Sequence, residues 1–373
     1  MQSHGQPIES LAAALRAAHP ELAAIETAAE EPVYVVGGAV RDLLLDRGRA
    51  DLDLLVVGDA AALAAKLDPE LVAHERFATA KVALDGGEVD FASARTESYP
   101  HPGALPVVAP ADSVEADLGR RDFTVNAMAI PLAGEPRLID PHGGGTDLEA
   151  GLLRVLHDES FVDDPTRAIR AARYAARLGF ELEPGTAELL RATDLDAVSA
   201  DRRVGELLRL AAEASAPRGF ALLAQWGLLE LRPDGAELAA RVGKLLADPA
   251  WEPLAARGPA VYAAAVGQPG PEADLAAARP SRPSEAVALA ASRNGVELVL
   301  ARALGAEWLD EYVGRWHGVA LEIDGEDLIA AGVDPGPALG RGLAAALRAK
   351  LDGETDSREE ELATALTAAR ESA

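Results

Sequence analysis

Two aspartates two residues apart, Asp51 and Asp53, open an apolar run, DLDLLVV, that reads as a strand. Side chains on a strand alternate between faces, so the pair projects from one face and can share a divalent cation. Mg2+ suits such ligands: it takes carboxylate oxygens, keeps several waters and completes its octahedron with substrate phosphates. Upstream, the run VYVV ends in Gly37 and Gly38. Residues without Cβ after a strand let backbone N–H groups approach an anion, and a helix opening at Ala39 would aim its positive end at the same place. Arg41, further along that helix, adds a fork of donors for phosphate oxygens. A glycine pair alone suits a plain tight turn, and an Asp-x-Asp alone suits a solvated strand edge. The order strand, Gly-Gly, Arg, strand, Asp-x-Asp within about twenty residues points instead to phosphate chemistry.

Asp90, in Glu88-Val89-Asp90-Phe91, lies on a later apolar run. It reads either as a third carboxylate beside the pair or as a sheet-edge acid with no metal. Farther on, Asp163 or Asp164 can cap a helix whose first position is Pro165 and whose end is Gly179. Arg167, Arg170, Arg173 and Arg177 then line one helical stripe, which is either a solvated basic face or an anion-reading one.

Four stretches in this order resemble class II tRNA nucleotidyltransferases, the CCA-adding enzymes and bacterial poly(A) polymerases, within the polymerase-beta-like nucleotidyltransferase superfamily. They are residues 33–57; Arg120-Arg121-Asp122-Phe123-Thr124-Val125-Asn126-Ala127-Met128-Ala129; Asp140-Pro141-His142-Gly143-Gly144 with Asp147-Leu148; and Asp163-Asp164-Pro165-Thr166-Arg167-Ala168-Ile169-Arg170. The resemblance implies attack of an RNA 3′-hydroxyl on the α-phosphorus of a nucleoside triphosphate, with pyrophosphate leaving in line. It makes Asp51, Asp53 and Asp90 the expected catalytic acids. Two Mg2+ ions held by Asp51 and Asp53 would act, one on the hydroxyl and one on the triphosphate.

The same resemblance assigns nucleotide binding to Gly37, Gly38, Arg41, Arg121, Asp122, Asp164, Arg167, Arg170 and Arg173. Arg121 would contact the triphosphate and Asp122 the ribose hydroxyls. Asp164 and Arg167 would read the base edge of CTP or ATP in place of a template, with Arg170 and Arg173 reaching phosphates or supporting that reading. Asn126 is expected to cap or orient. The family commonly has Glu-Asp where this chain has Asp163-Asp164, which leaves Asp163 without an assigned role. The expected partners are the tRNA 3′ end, CTP and ATP, with no membrane and no obligate protein partner. The expected activity is addition or repair of the terminal CCA. The alternatives are a poly(A) polymerase, a CC- or A-adding specialist, and an inactive RNA-binding relative. Poly(A) polymerases usually carry a basic C-terminal extension that this acidic chain does not match, and the intact aspartate pair speaks against inactivity.

A chain of 373 residues exceeds one usual domain. No apolar run approaches the twenty or so residues of a membrane span, and the start lacks a signal peptide's basic-then-apolar plan. With no cysteine there are no disulfides or thiolate metal sites, which fits a cytoplasmic location. The formal charge of −26 opposes RNA binding as a sum, so distribution decides. Residues 161–210 hold eight arginines against nine carboxylates, near neutral inside an acidic chain. Arginine greatly outnumbers lysine, consistent with either genomic composition or a salt-rich cytoplasm.

The elements that must position these residues follow from periodicity. A helix is expected over 8–30, another over 59–67, and strands over 79–84 and 87–95. Helices follow near 165–178, 185–191, 202–215, 217–230, 235–247, 284–295 and 338–351. The fold class is therefore α+β: a small mixed sheet with helices as nucleotidyltransferase head, then an all-helical neck, body and tail. The expected divisions are a catalytic head over 1–148, a nucleotide-selecting neck over 149–231, and a tRNA-binding body and tail over 232–373. The glycine cluster 143–145 marks the first boundary, and the Pro/Gly-rich stretch 266–284 reads as a flexible connection or insertion. His157-Asp158 lacks the further histidines of a phosphohydrolase and is set aside, and the four tryptophans read as packing anchors.

Overall fold

The computed structural model describes residues 8–47, 51–68, 79–84 and 87–370. Strands β1 (Val33–Val36), β2 (Leu52–Val56), β3 (Thr79–Leu84) and β4 (Gly87–Ser93) belong to one five-stranded sheet. A two-stranded ribbon follows, β5 (Arg95–Ser98) with β6 (Val107–Pro110), and then β7 (Ala129–Pro131) completes the sheet in the order β3-β4-β2-β1-β7. The sheet is mixed: β2 runs parallel to β4, and its other pairings are antiparallel. Register sets Asp53 opposite Asp90, and Asp90 opposite Lys81, in one row across three strands. A short parallel pair, β8 (Leu152–Leu153) with β9 (Glu181–Leu182), comes later, and the remainder is helical. This is the α+β architecture expected.

Leu52, Leu54, Leu55 and Val56 are buried, so β2 is held on both faces beyond its first residues. Asp51 and Asp53 are exposed at its open start. On the face of the sheet that carries Asp53, Val36, Leu55, Val114, Leu118, Ala127 and Ile139 share a core. The helix Val114–Leu118, capped by Ser113, therefore packs on the same face as the aspartates, farther along the strands.

Several elements differ from expectation for local reasons. The helix over 8–30 is two, Ile8–Ala18 and Leu22–Ala28, interrupted at His19-Pro20, where proline supplies no N–H. The stretch 266–284 contains a helix, Pro271–Ala277, started by Pro271 in its first turn. The helix over 284–295 ends at Ala290, and a new one, Gly295–Ala303, begins with a capping box between Asn294 and Glu297. At the glycine cluster, both Asp140 carboxylate oxygens accept backbone N–H groups, from Gly144 at 2.7 Å and Gly145 at 2.9 Å. They start the helix Gly144–Ala150, and a Cβ on Gly144 would lie 2.2 Å from the Thr124 carbonyl oxygen.

Packing divides the chain into two compact units. The first takes the described residues up to Leu207 with Gln225–Leu228, and the second takes Leu208–Ala224 with Leu229–Ala373 as far as it is described. In the second, the helices Pro337–Leu351 and Arg358–Arg370 meet through small residues, and a Cβ on Gly342 would approach the Ala365 carbonyl oxygen to 2.7 Å. Alanine abundance thus serves close helix contact. Among the described residues no helix is long and apolar enough to cross a membrane.

Candidate active site

The aspartate row is the natural starting point. Asp51 and Asp53 flank buried Leu52 and are both exposed, and neither takes a hydrogen bond from a described residue. Although Asp53 meets solvent, protein on its other sides dehydrates the carboxyl, and the Asp90 and Asp51 charges add repulsion. These effects raise it above the usual carboxylate range, against the pull of Arg121 and Lys81. Asp90 is already paired: Lys81 Nζ lies 3.2 Å from its Oδ2. Like-charged carboxylates short of counter-charge on an open strand end are relieved by a divalent cation. Among the described residues no three His, Cys, Asp or Glu side chains close on one point as a metal cage.

Beside the row stands the glycine turn. Gly37 has φ +67°, a conformation that L side chains rarely adopt, and its N–H donates to the Met128 carbonyl at 3.1 Å. The helix it precedes, Gly38–Leu44, starts one residue earlier than expected. A Cβ on Gly37 would sit 2.7 Å from Arg121 Nη1, so the missing side chain is the space that this guanidinium occupies. Arg121 also donates to the Asn126 carbonyl at 3.4 Å and to Asp117 Oδ2 at 3.1 Å. Arg41, expected to face phosphate, is 1% exposed and turned inward, chelating Asp42 and donating to Asn126 Oδ1 at 2.6 Å.

Asp122 is likewise buried and fully engaged. Its Oδ1 accepts from Phe123 N at 2.9 Å and Asn126 Nδ2 at 3.0 Å, and its Oδ2 accepts both Arg170 Nε at 2.8 Å and Nη2 at 2.6 Å. Burial alone would raise this carboxyl, but Arg170 and the Asn126 amide outweigh it and hold the group at about 2. Contact with ribose hydroxyls requires this network to open. Arg170 comes from the helix Thr166–Leu178, ended by Gly179 at φ +80°. On that helix the Tyr174 ring gathers guanidinium groups at 5.5 Å from Arg41, 5.7 Å from Arg170, 5.2 Å from Arg173 and 5.3 Å from Arg177.

Arg167 leaves that stripe. It is buried, donating to Ser160 Oγ at 2.6 Å and to the Arg120 carbonyl at 2.9 Å. It borders a cavity of about 270 Å³ with Glu97, Tyr99, Arg120, His157 and Asp163. Asp163, which had no assigned role, therefore lines the cavity, whereas Asp164 does not. Asp164 Oδ1 instead caps the helix through Thr166 N at 3.1 Å and Thr166 Oγ1 at 2.6 Å, and accepts Arg202 Nη2 at 3.0 Å. His157 also lines the cavity, its partner being Asp163 at 4.0 Å, and burial followed by Arg167 lowers its pKa.

From the residues alone, Glu97 and Tyr99 fall in a joining loop with no catalytic role, and Asp117 does not stand out. Tyr99 donates to Glu97 Oε2 at 3.0 Å and is pushed up to about 12, chiefly by burial. Glu97 takes Arg120 Nη1 at 3.0 Å and Arg95 Nε at 3.1 Å. The alternating Arg-x-Glu-x-Tyr and the helical spacing of Asp117 to Arg120 and Arg121 were the available signals.

Residues 33–154 match the model of the poly A polymerase head domain. A CC-adding tRNA nucleotidyltransferase of Deinococcus radiodurans is 38% identical over 349 residues, which is 88% of this chain and 87% of the relative. An A-adding tRNA nucleotidyltransferase of Halalkalibacterium halodurans is 43% identical over 204 residues, covering 51% of this chain and 48% of that one. The chain spans still less of two other A-adding relatives, 24% and 20%. A solved CCA-adding enzyme in an apo form superposes with a TM-score of 0.78 at 29% identity, over 97% of this chain and 99% of that one. With its aspartate row, glycine turn and arginine-bearing helix in this arrangement, and a relative matched over nearly its whole length, the chain belongs to the class II tRNA nucleotidyltransferase family.

Proposed function

We propose that this protein adds CMP and AMP to the 3′ end of tRNA without a template, taking them from CTP and ATP and releasing pyrophosphate, so that it completes or repairs the terminal CCA. The carrying observation is the Asp53–Asp90 row beside the Gly37 turn that seats Arg121. The CC-adding, A-adding and CCA-adding names of its relatives support the substrate class.

The family uses a divalent metal, and the exposed, under-neutralised acids fit Mg2+ held by Asp51 and Asp53. When bound there, the ion would lower the pKa of the attacking 3′-hydroxyl and offset charge on the leaving pyrophosphate. Asp90 lends charge to the row, tempered by Lys81. Arg121 offers its guanidinium to the triphosphate from the glycine turn. Arg170 supplies a further cation, and Asp122 becomes available to a ribose hydroxyl as that pair loosens. Arg167 and Asp163, which line one cavity, present donors and acceptors to the base as Arg167 loosens from Ser160 and the Arg120 carbonyl. We assign the chemistry to residues 1–148, nucleotide choice to 149–231 and tRNA docking to 232–373, in the cytoplasm.

The test is product length from labelled CTP and ATP on tRNA ending before CCA, after C and after CC. Extension of all three to CCA is expected, with Asp51→Ala or Asp53→Ala losing at least about 1,000-fold in rate while tRNA binding stays measurable. A stop after CC establishes the second reading, favoured by the near-full-length likeness to the CC-adding enzyme. No incorporation on any of them, or full activity in either mutant, overturns the proposal.

A further inference from the structure

We infer that Asp117 is a positioning residue for nucleotide binding: one buried carboxylate that fixes Arg121 over the glycine turn and Arg120 at the cavity beside Arg167. The inference rests on the proposed reading of Arg121 as a triphosphate ligand. Asp117 lies in the short helix Val114–Leu118 with 0% of its surface exposed. Its two oxygens serve different partners. Oδ2 accepts Arg121 Nη2 at 3.1 Å, while Oδ1 accepts Arg120 Nε at 2.9 Å and the Arg95 backbone N–H at 3.2 Å.

The partners then diverge. Arg121 reaches the space left open by Gly37 and is the main cation opposing the negative charge around Asp53. Arg120 turns to Glu97 and lines the cavity, and its carbonyl receives Arg167. A single carboxylate thus references two neighbouring arginines whose heads serve different parts of the site. Removing a carboxylate from water is costly, and replacing a buried ion pair by apolar residues is often neutral or stabilising, so stability alone gives little reason for an acid here. A guanidinium held through its own fork keeps one orientation, and that is what a triphosphate contact needs.

The experiment is a double-mutant cycle read in steady-state kinetics with CTP and ATP on a tRNA acceptor, with thermal melting as a check on folding. Asp117→Asn keeps the shape and removes the charge. About a tenfold rise in nucleotide KM is expected with kcat within about threefold, and Arg121→Ala is expected to raise KM by as much or more. Adding Asp117→Asn to Arg121→Ala should then raise KM by clearly less than it does in the wild type, since one of the two arginines it positions is gone. Equal, additive effects in both backgrounds, or a fall in kcat with unchanged KM, would show a merely structural acid and overturn the inference. If Arg121→Ala leaves KM unchanged, the reading of Arg121 fails and the inference falls with it. If Asp117→Asn has no cooperative melt, Asp117→Glu carries the same cycle: it keeps the charge and moves both arginines by one methylene. A wild-type KM in that variant would likewise count against positioning.

Discussion

Asp122 and Arg170 show how one residue can be read from sequence as a ligand and found as an anchor. The family resemblance implies a carboxylate facing the ribose, whereas the fold surrounds it with four donors. Its folded pKa of about 2 lies below the value of roughly 4 that a free aspartate has in an unfolded chain. A depressed carboxylate stabilises the fold above the unfolded value and loses that contribution as pH falls through the folded one. The pair should therefore contribute about 2 kcal/mol above roughly pH 5, fading toward pH 2. Denaturant unfolding of wild type and Asp122→Asn across that range is the measurement. The gap between them should narrow as pH falls, and a constant gap would mean that the carboxylate is not held by this network. Neither Arg41 nor Arg167 could be placed from residue type for the same reason: an arginine looks alike whether it faces phosphate or turns inward to Asn126 or Ser160.

Among elements, the turn between β1 and the helix Gly38–Leu44 combines backbone strain with ligand geometry. An alanine at Gly37 must hold φ +67° with ψ −125°, outside the left-handed helical well, at a cost of about 1–3 kcal/mol, and its Cβ must displace the end of Arg121. Moving a flexible guanidinium costs little stability, so Gly37→Ala should lower stability modestly and raise nucleotide KM disproportionately. Denaturant midpoints and kinetics on the same sample compare the two, and a stability loss with unchanged KM would detach the turn from the site. This element was legible, because strand, Gly-Gly and Asp-x-Asp are local patterns with local causes. So were two breaks that a longer helical reading overran: Pro20, and the Asn294-to-Glu297 capping box. What stayed hidden was set by tertiary contact. Asp163 rather than Asp164 lines the cavity because Asp164 is drawn into capping and to Arg202, a partner 38 residues away. Glu97 and Asp117 acquire meaning only when β5 and the helix Val114–Leu118 meet the arginines between them.

At the scale of the molecule, charge and packing pull against each other. The chain carries 61 carboxylates against 35 Lys and Arg, and alanine-rich helix contacts bury less apolar surface per residue than leucine-rich ones would. Self-repulsion at net −26 therefore weighs on a fold without large hydrophobic reserves. Salt acts in two directions. It weakens exposed pairs such as Lys66–Glu30 and Arg282–Glu354, and it screens the carboxylates that outnumber Lys and Arg. The buried pairs that shape the site, Asp122–Arg170 and Asp117–Arg121, are shielded from screening by the protein around them. With anionic groups so far in excess, relief of repulsion should win. Melting temperature should rise by several degrees between about 0.05 and 1 M KCl, as the screening length falls from over 10 Å to roughly 3 Å. A neutral osmolyte at matched osmolality separates screening from general exclusion effects. A flat or falling melting curve in KCl would show that the acidic surface is balanced locally by its arginines, and that the net charge exerts no strain on the fold.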